Sequence, residues 1–125
     1  MIRIRKYIPA NNLVDINIGK IILVHRMNNS KYERVEHELS QKKESSMKVF
    51  GNSMTPIIKS GALITFKKFD TYEVGDVVFC KVKGRYIDAH KITRKSDKGY
   101  LISNNHGFDN GWTKKIFGKA IKIEN

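Results

Sequence analysis

From residue 47 onward the apolar residues fall in short runs separated by glycine-bearing turns. Segments 47–50, 62–66, 77–82, 85–92, 100–103 and 116–123 each have the length and the β-branched or aromatic content of a strand. The turns between them are Lys59-Ser60-Gly61, Val74-Gly75-Asp76, Lys83-Gly84 and Asp97-Lys98-Gly99. Lys83-Gly84 predicts a tight hairpin, because a two-residue connection needs a residue that accepts left-handed backbone angles. Residues 104–111 read as a polar loop before Trp112. Short strands at this spacing predict a mainly β fold, an antiparallel β-sandwich or partly closed barrel.

The first 46 residues follow another pattern. Ile16, Ile18 and the run 21–24 suggest one or two strands, with Gly19 as a turn or bulge. Over 30–42, Ser30 stands as a cap with Glu33 three positions on, and Tyr32, Val35 and Leu39 form an apolar stripe at helical spacing. The polar run 40–46 then reads as a linker. This divides the chain into an N-terminal extension, 1–46, containing one helix, and a β domain, 47–125.

At 125 residues the chain suits a single core that needs no metal or disulfide to hold it. Its one cysteine, Cys80, lies within an apolar strand and has no internal partner, which is compatible with a reducing compartment. The basic start, Met1 to Lys6, is not followed by the run of about seven apolar residues that a secretory signal needs. The longest early apolar run, 21–24, is far short of the roughly 20 residues of a spanning helix. A cytoplasmic protein without a transmembrane anchor is therefore expected.

The formal charge is +12, with ten basic against five acidic residues over 1–50 and fourteen against seven beyond. An excess spread this evenly favours anionic partners, nucleic acid or an acidic protein among them. The residues most suited to phosphate contacts are Lys81, Lys83, Arg85, Arg94, Lys95, Lys114 and Lys115. The same charges equally suit a solvated surface. No zinc finger or paired recognition helix is present in the sequence pattern.

The segment carrying the most chemistry is Gly51-Asn52-Ser53-Met54-Thr55-Pro56. A serine hydroxyl needs a neighbouring base and donors for the developing oxyanion before it can act as a nucleophile. With the following Ile57-Ile58-Lys59-Ser60-Gly61 and the later Val74-Gly75-Asp76-Val77-Val78, this segment resembles the serine motif of the LexA and signal peptidase superfamily of serine peptidases. The resemblance covers much of 47–92 and continues, less specifically, to 123.

It implies the β fold of that superfamily and Ser53 as nucleophile. Ala89-His90-Lys91-Ile92 is similar to the branch in which histidine replaces the more usual lysine, so His90 is the implied base. Ser103 to Gly111 resembles the family's downstream acidic element. Asp109 matches the later acid and is the implied orienting partner of His90. Asn104 stands where an earlier acid is expected, a departure from the pattern. Asp88, two residues from His90, is an alternative partner. Met54, Pro56 and Trp112 are candidates for the substrate cleft or its support. Lys91 should point away from His90, since neighbours on a strand face opposite sides.

His90, His106, Asp109 and Cys80 match no compact zinc motif, and no metal or cofactor is expected. The resemblance implies a Ser-His peptidase, Asp-assisted, acting on a peptide of a partner or on itself. The chain lacks the Ala-Gly pair at which the self-cleaving repressors are cut. The alternative is a binding module on the same scaffold, catalytically degenerate, whose basic face engages nucleic acid or an acidic protein. A chain of this size and character would also suit a mobile genetic element.

Overall fold

The structure, a computed structural model, describes residues 30–125; the strands expected within 1–29 lie outside the described residues. The chain divides into two compact units, residues 1–34 and 35–125. Residues 30–40 are helical (α1), and a short turn leads from them into the sheet. Seven strands follow: β1 (Ser45–Val49), β2 (Ala62–Lys67), β3 (Val77–Val82), β4 (Arg85–Ser96), β5 (Gly99–Ser103), β6 (Asp109–Thr113) and β7 (Ile116–Glu124). They form one sheet in the order β1-β2-β7-β3-β4-β5-β6, with every neighbouring pair antiparallel. The result is the expected partly closed barrel: a curled sheet with one N-terminal helix.

Strand β6 is the element the sequence pattern misses. Asp109-Asn110-Gly111 has turn composition, yet pairing with β5 draws it into the sheet. Cross-strand pairing here overrides local propensity.

Burial explains the strand patterns. Along β1 and β2, inward residues alternate with outward ones, and Met47, Val49, Ala62, Ile64 and Phe66 are buried. β3 is covered on both faces, so Val78, Phe79 and Cys80 are all inaccessible and the strand reads as a continuous apolar run. Val78, Cys80 and Val82 pack in one cluster with Ile92, Ile102 and Ile116. Phe79 packs against Phe66, Phe117 and Tyr86, with ring centroids 5.0 to 5.9 Å away. Val35 and Leu39 of α1 are fully buried, and Tyr86 donates to Glu36 Oε1 at 2.6 Å. Gly118 permits the close approach on β7: a Cβ there would lie 2.9 Å from Lys67 O and 3.2 Å from Leu39 Cδ1.

Two bulges and one hairpin position the site. Val78 faces His90 and Cys80 faces Ile87, so two steps on β3 match three on β4. This extra residue shifts the alternation and puts Ile87, rather than Asp88, in phase with His90. On β6, Ser103 faces Asp109 and Ile102 faces Gly111, which leaves Asn110 as the extra residue. At the β3–β4 turn both Lys83 (φ 53°) and Gly84 (φ 79°) are left-handed, the geometry that matches sheet twist. Holding a lysine in that region costs roughly 1–2 kcal/mol that a glycine would not incur.

Candidate active site

Ser53 sits in the loop joining β1 to β2. That loop is closed at its base, where the Gly61 N–H donates to Val49 O at 2.7 Å and the Gly51 N–H to Ser60 Oγ at 3.0 Å. Within it, the Ile58 N–H donates to Met54 O at 2.9 Å, closing a five-residue turn that begins just after Ser53. Met54, 3% exposed, anchors this turn in the core, while Pro56 lies at the surface after a cis peptide bond. The nucleophile candidate thus sits on a turn pinned at both ends and from below.

Ser53 Oγ lies 2.9 Å from His90 Nε2. The other ring nitrogen, His90 Nδ1, lies 2.7 Å from Asn110 Oδ1. An amide oxygen only accepts, so Nδ1 carries the proton and Nε2 presents a lone pair to the serine hydroxyl. This is the tautomer a general base requires. The pair is half-buried. The Ser53 backbone N–H donates to no protein acceptor among the described residues.

A second loop, 104–108, braces the serine turn. Asn104 Oδ1 accepts from the N–H groups of His106 and Phe108 at 2.8 and 2.9 Å, which folds this loop on itself. The Asn105 N–H donates to Ser53 O at 2.8 Å, and its side-chain amide donates to Thr55 O at 3.0 Å. His106 Nε2 lies 3.0 Å from Asn52 O. Lys91 Nζ donates to Asn105 Oδ1 at 3.0 Å, so this lysine meets the bracing loop while His90 meets the serine.

The aspartate expected to orient the imidazole is placed elsewhere. Ser103 Oγ donates to Asp109 Oδ1 at 2.7 Å, and Thr93 Oγ1 lies 2.7 Å from the same hydroxyl. The physical reason is the β6 bulge: Asp109 pairs with Ser103, and the next residue, Asn110, is the one turned toward His90. Asn104, expected at an acid position, serves as a loop cap. The charge of Asp88 is felt at Cys80. Trp112 pairs with Leu101 and carries Arg94 over its ring at 5.6 Å.

The basic residues named from the sequence have different surroundings. Lys81 lies over Tyr86 at 4.5 Å, and Lys95 is paired with Glu73 at 3.2 Å. Arg85 and Arg94 stand near opposite ends of β4, about 30 Å apart at the usual strand rise. Lys114 and Lys115 are exposed between β6 and β7. Besides Lys91, Lys83 and Arg85 come near the site. They line a cavity of about 360 Å³ together with Val82, Ile87, Phe108 and Asn110.

Among the described residues, no group of three or more His, Cys, Asp and Glu side chains could hold a metal ion, and no helix is long and apolar enough to cross a membrane. Burial, with a smaller contribution from Asp88, pushes the Cys80 thiol up to about 12, so it is neutral at ordinary pH.

Asn110 and Asn105 are the site residues that sequence reasoning missed. Their only signal is their nearness to the implied acid, and one residue of offset separates Asn110 from it.

No curated protein matches the chain. The family model described as Peptidase S24-like matches residues 12–121, a span containing the serine turn, the bracing loop and the whole Ser53–His90–Asn110 array. A serine peptidase-like fold built to act on a peptide is what that match and the half-barrel have in common: the chain belongs to the Peptidase S24-like family.

Proposed function

We propose that this chain is a serine endopeptidase in which Ser53 is the nucleophile and His90 the general base. The observation that carries the reading is the 2.9 Å separation of Ser53 Oγ and His90 Nε2, with His90 Nδ1 fixed by Asn110. As Ser53 Oγ attacks the scissile carbonyl, His90 Nε2 takes its proton, and the Ser53 N–H faces the developing oxyanion. The same imidazolium then protonates the leaving amine. Water, deprotonated by His90, hydrolyses the acyl-serine ester and restores the hydroxyl.

Asn110 replaces the expected aspartate as the orienting group. It selects the tautomer without adding a negative charge, so it stabilises the imidazolium less than a carboxylate would. Lys91 acts through Asn105 on the position of the serine turn. A substrate in a reducing, cytoplasmic setting fits the single unpaired Cys80.

The test is intact-mass analysis of the full chain, alone and with a peptide library, beside Ser53→Ala and His90→Ala. Fragments that appear with the native chain and with neither variant are the expected result. Fragmentation that rises in proportion to chain concentration identifies cleavage between molecules. Identical behaviour of all three proteins overturns the reading.

A further inference from the structure

The cavity beside Asn110 is unaccounted for by the chemistry of bond cleavage. Val82, Ile87 and Phe108, the last 61% exposed, give it an apolar lining. Its charged residues are both cationic, Lys83 and Arg85. It shares Asn110 with the catalytic array, so a group held there lies against the residue that holds the imidazole.

Lys83 is directed into this space. A Cβ placed on Gly111 would lie 3.1 Å from Val82 Cγ1 and 3.7 Å from Lys83 Cε. The lysine stem therefore runs back from the hairpin across Gly111, the neighbour of Asn110. Lys83 holds this place although its left-handed φ of 53° favours glycine or asparagine. The bulge opposite Ile87 brings Arg85 and Ile87 into phase with His90.

We infer that this cavity is a specificity subsite of the Ser53–His90 site and that it takes an acidic side chain of an extended peptide, next to an apolar residue resting on Ile87 and Phe108. The inference rests on the peptidase reading above. A volume of about 360 Å³ suits one or two side chains. Lys83 and Arg85 supply the donors for a carboxylate, Arg85 with the planar fork that can grip both oxygens. Nucleic acid is the weaker occupant. A strand of phosphates needs a continuous basic track, whereas Arg94 and Lys95 lie at the far end of β4, engaged by Trp112 and Glu73.

The test measures binding with turnover removed. Fluorescent peptides in which one Glu, Gln or Lys is moved through an alanine–leucine background are titrated into full-chain Ser53→Ala, with fluorescence anisotropy as the readout. At its best position the Glu peptide should bind about tenfold tighter than its Gln counterpart, as expected for a close charge pair at a partly desolvated site. Adding Lys83→Ala and Arg85→Ala should abolish that preference, while adding Lys114→Ala and Lys115→Ala should leave it. Equal binding of Glu and Gln peptides, a preference that survives loss of Lys83 and Arg85, or no binding by any peptide overturns the inference. So does a single-stranded oligonucleotide that competes with the Glu peptide and binds more tightly than it. Because no bond is cut in this assay, its outcome is separate from that of the fragmentation experiment.

Discussion

Asn110 Oδ1 accepts the Nδ1 proton of His90 at 2.7 Å, and it does so from the extra residue of the β6 bulge. The bulge turns a side chain that regular pairing would direct elsewhere, and the imidazole is held with Nε2 toward Ser53. A positioning role of this kind has a distinctive signature. Asn110→Ala should lower kcat about 10- to 100-fold, the value of one hydrogen bond to a group that becomes charged, with little change in KM. Asn110→Asp keeps the acceptor and adds a charge, so it should match or exceed the native rate. Asp109→Asn, which alters only the contact with Ser103, should change kcat by less than about threefold. Steady-state kinetics on one cleaved peptide measures all three.

His90 and Lys91 are adjacent, and of the two His90 is the one hydrogen-bonded to Ser53 Oγ. Loss of a general base typically costs about 10²- to 10⁴-fold, and His90→Ala should fall in that range. Added imidazole should restore part of the rate to His90→Ala, since it can occupy the vacated space and take the proton. Lys91→Ala should cost far less, about tenfold or under, because it removes one hydrogen bond to the bracing loop. If Lys91→Ala were the more damaging change and imidazole had no effect, the assignment of the base would pass from His90 to Lys91.

The strands of this fold are legible because their side chains report burial directly. Ala62 to Phe66 carries no charge and buries every second residue, and Val77 to Cys80 is apolar throughout because both faces are covered. Ser53 and His90 are legible through the ordered resemblance of the segments around them. What stays hidden is set by register. Nothing local in Asp109-Asn110-Gly111 distinguishes a turn from a bulged strand, and the bulge decides which of two adjacent residues meets His90. Asp88 illustrates the same limit. A spacing of two suggests a shared face with His90, but the extra residue on β4 breaks the alternation between them.

Asn105 joins three parts of the site: its N–H holds Ser53 O, its amide holds Thr55 O, and its oxygen accepts from Lys91. Asn105→Ala keeps the first contact and loses the other two. At about 0.5–1.5 kcal/mol for each ordinary hydrogen bond, the serine turn should lose about 1–3 kcal/mol of local stability. Hydrogen exchange across 52–58 should speed up accordingly, while exchange in β2 and β3 stays unchanged. Exchange that accelerates uniformly through the sheet would mark Asn105 as a support of the global fold instead.

Cys80 offers a pH-dependent readout of the core. Its thiol is pushed up to about 12 from an ordinary value of 9.0, chiefly by burial and secondarily by the charge of Asp88. The folded chain therefore holds this proton more tightly than the unfolded chain does. The associated stability is fully present below about pH 9 and is lost as pH rises from about 9 to about 12. Its ceiling is about 4 kcal/mol, at 1.36 kcal/mol for each pH unit of separation. Other groups titrate in the same window, so the comparison is between the native chain and Cys80→Ala. The variant starts less stable, having lost a fully buried side chain, but its urea midpoint should fall less steeply with pH. Iodoacetamide should leave Cys80 unmodified in the native chain at pH 8 and alkylate it promptly in urea, since the neutral, inaccessible thiol is a poor nucleophile. Parallel urea profiles for the two proteins, or rapid alkylation of the folded chain, would place Cys80 in contact with solvent and remove it from the cluster formed with Val78 and Val82.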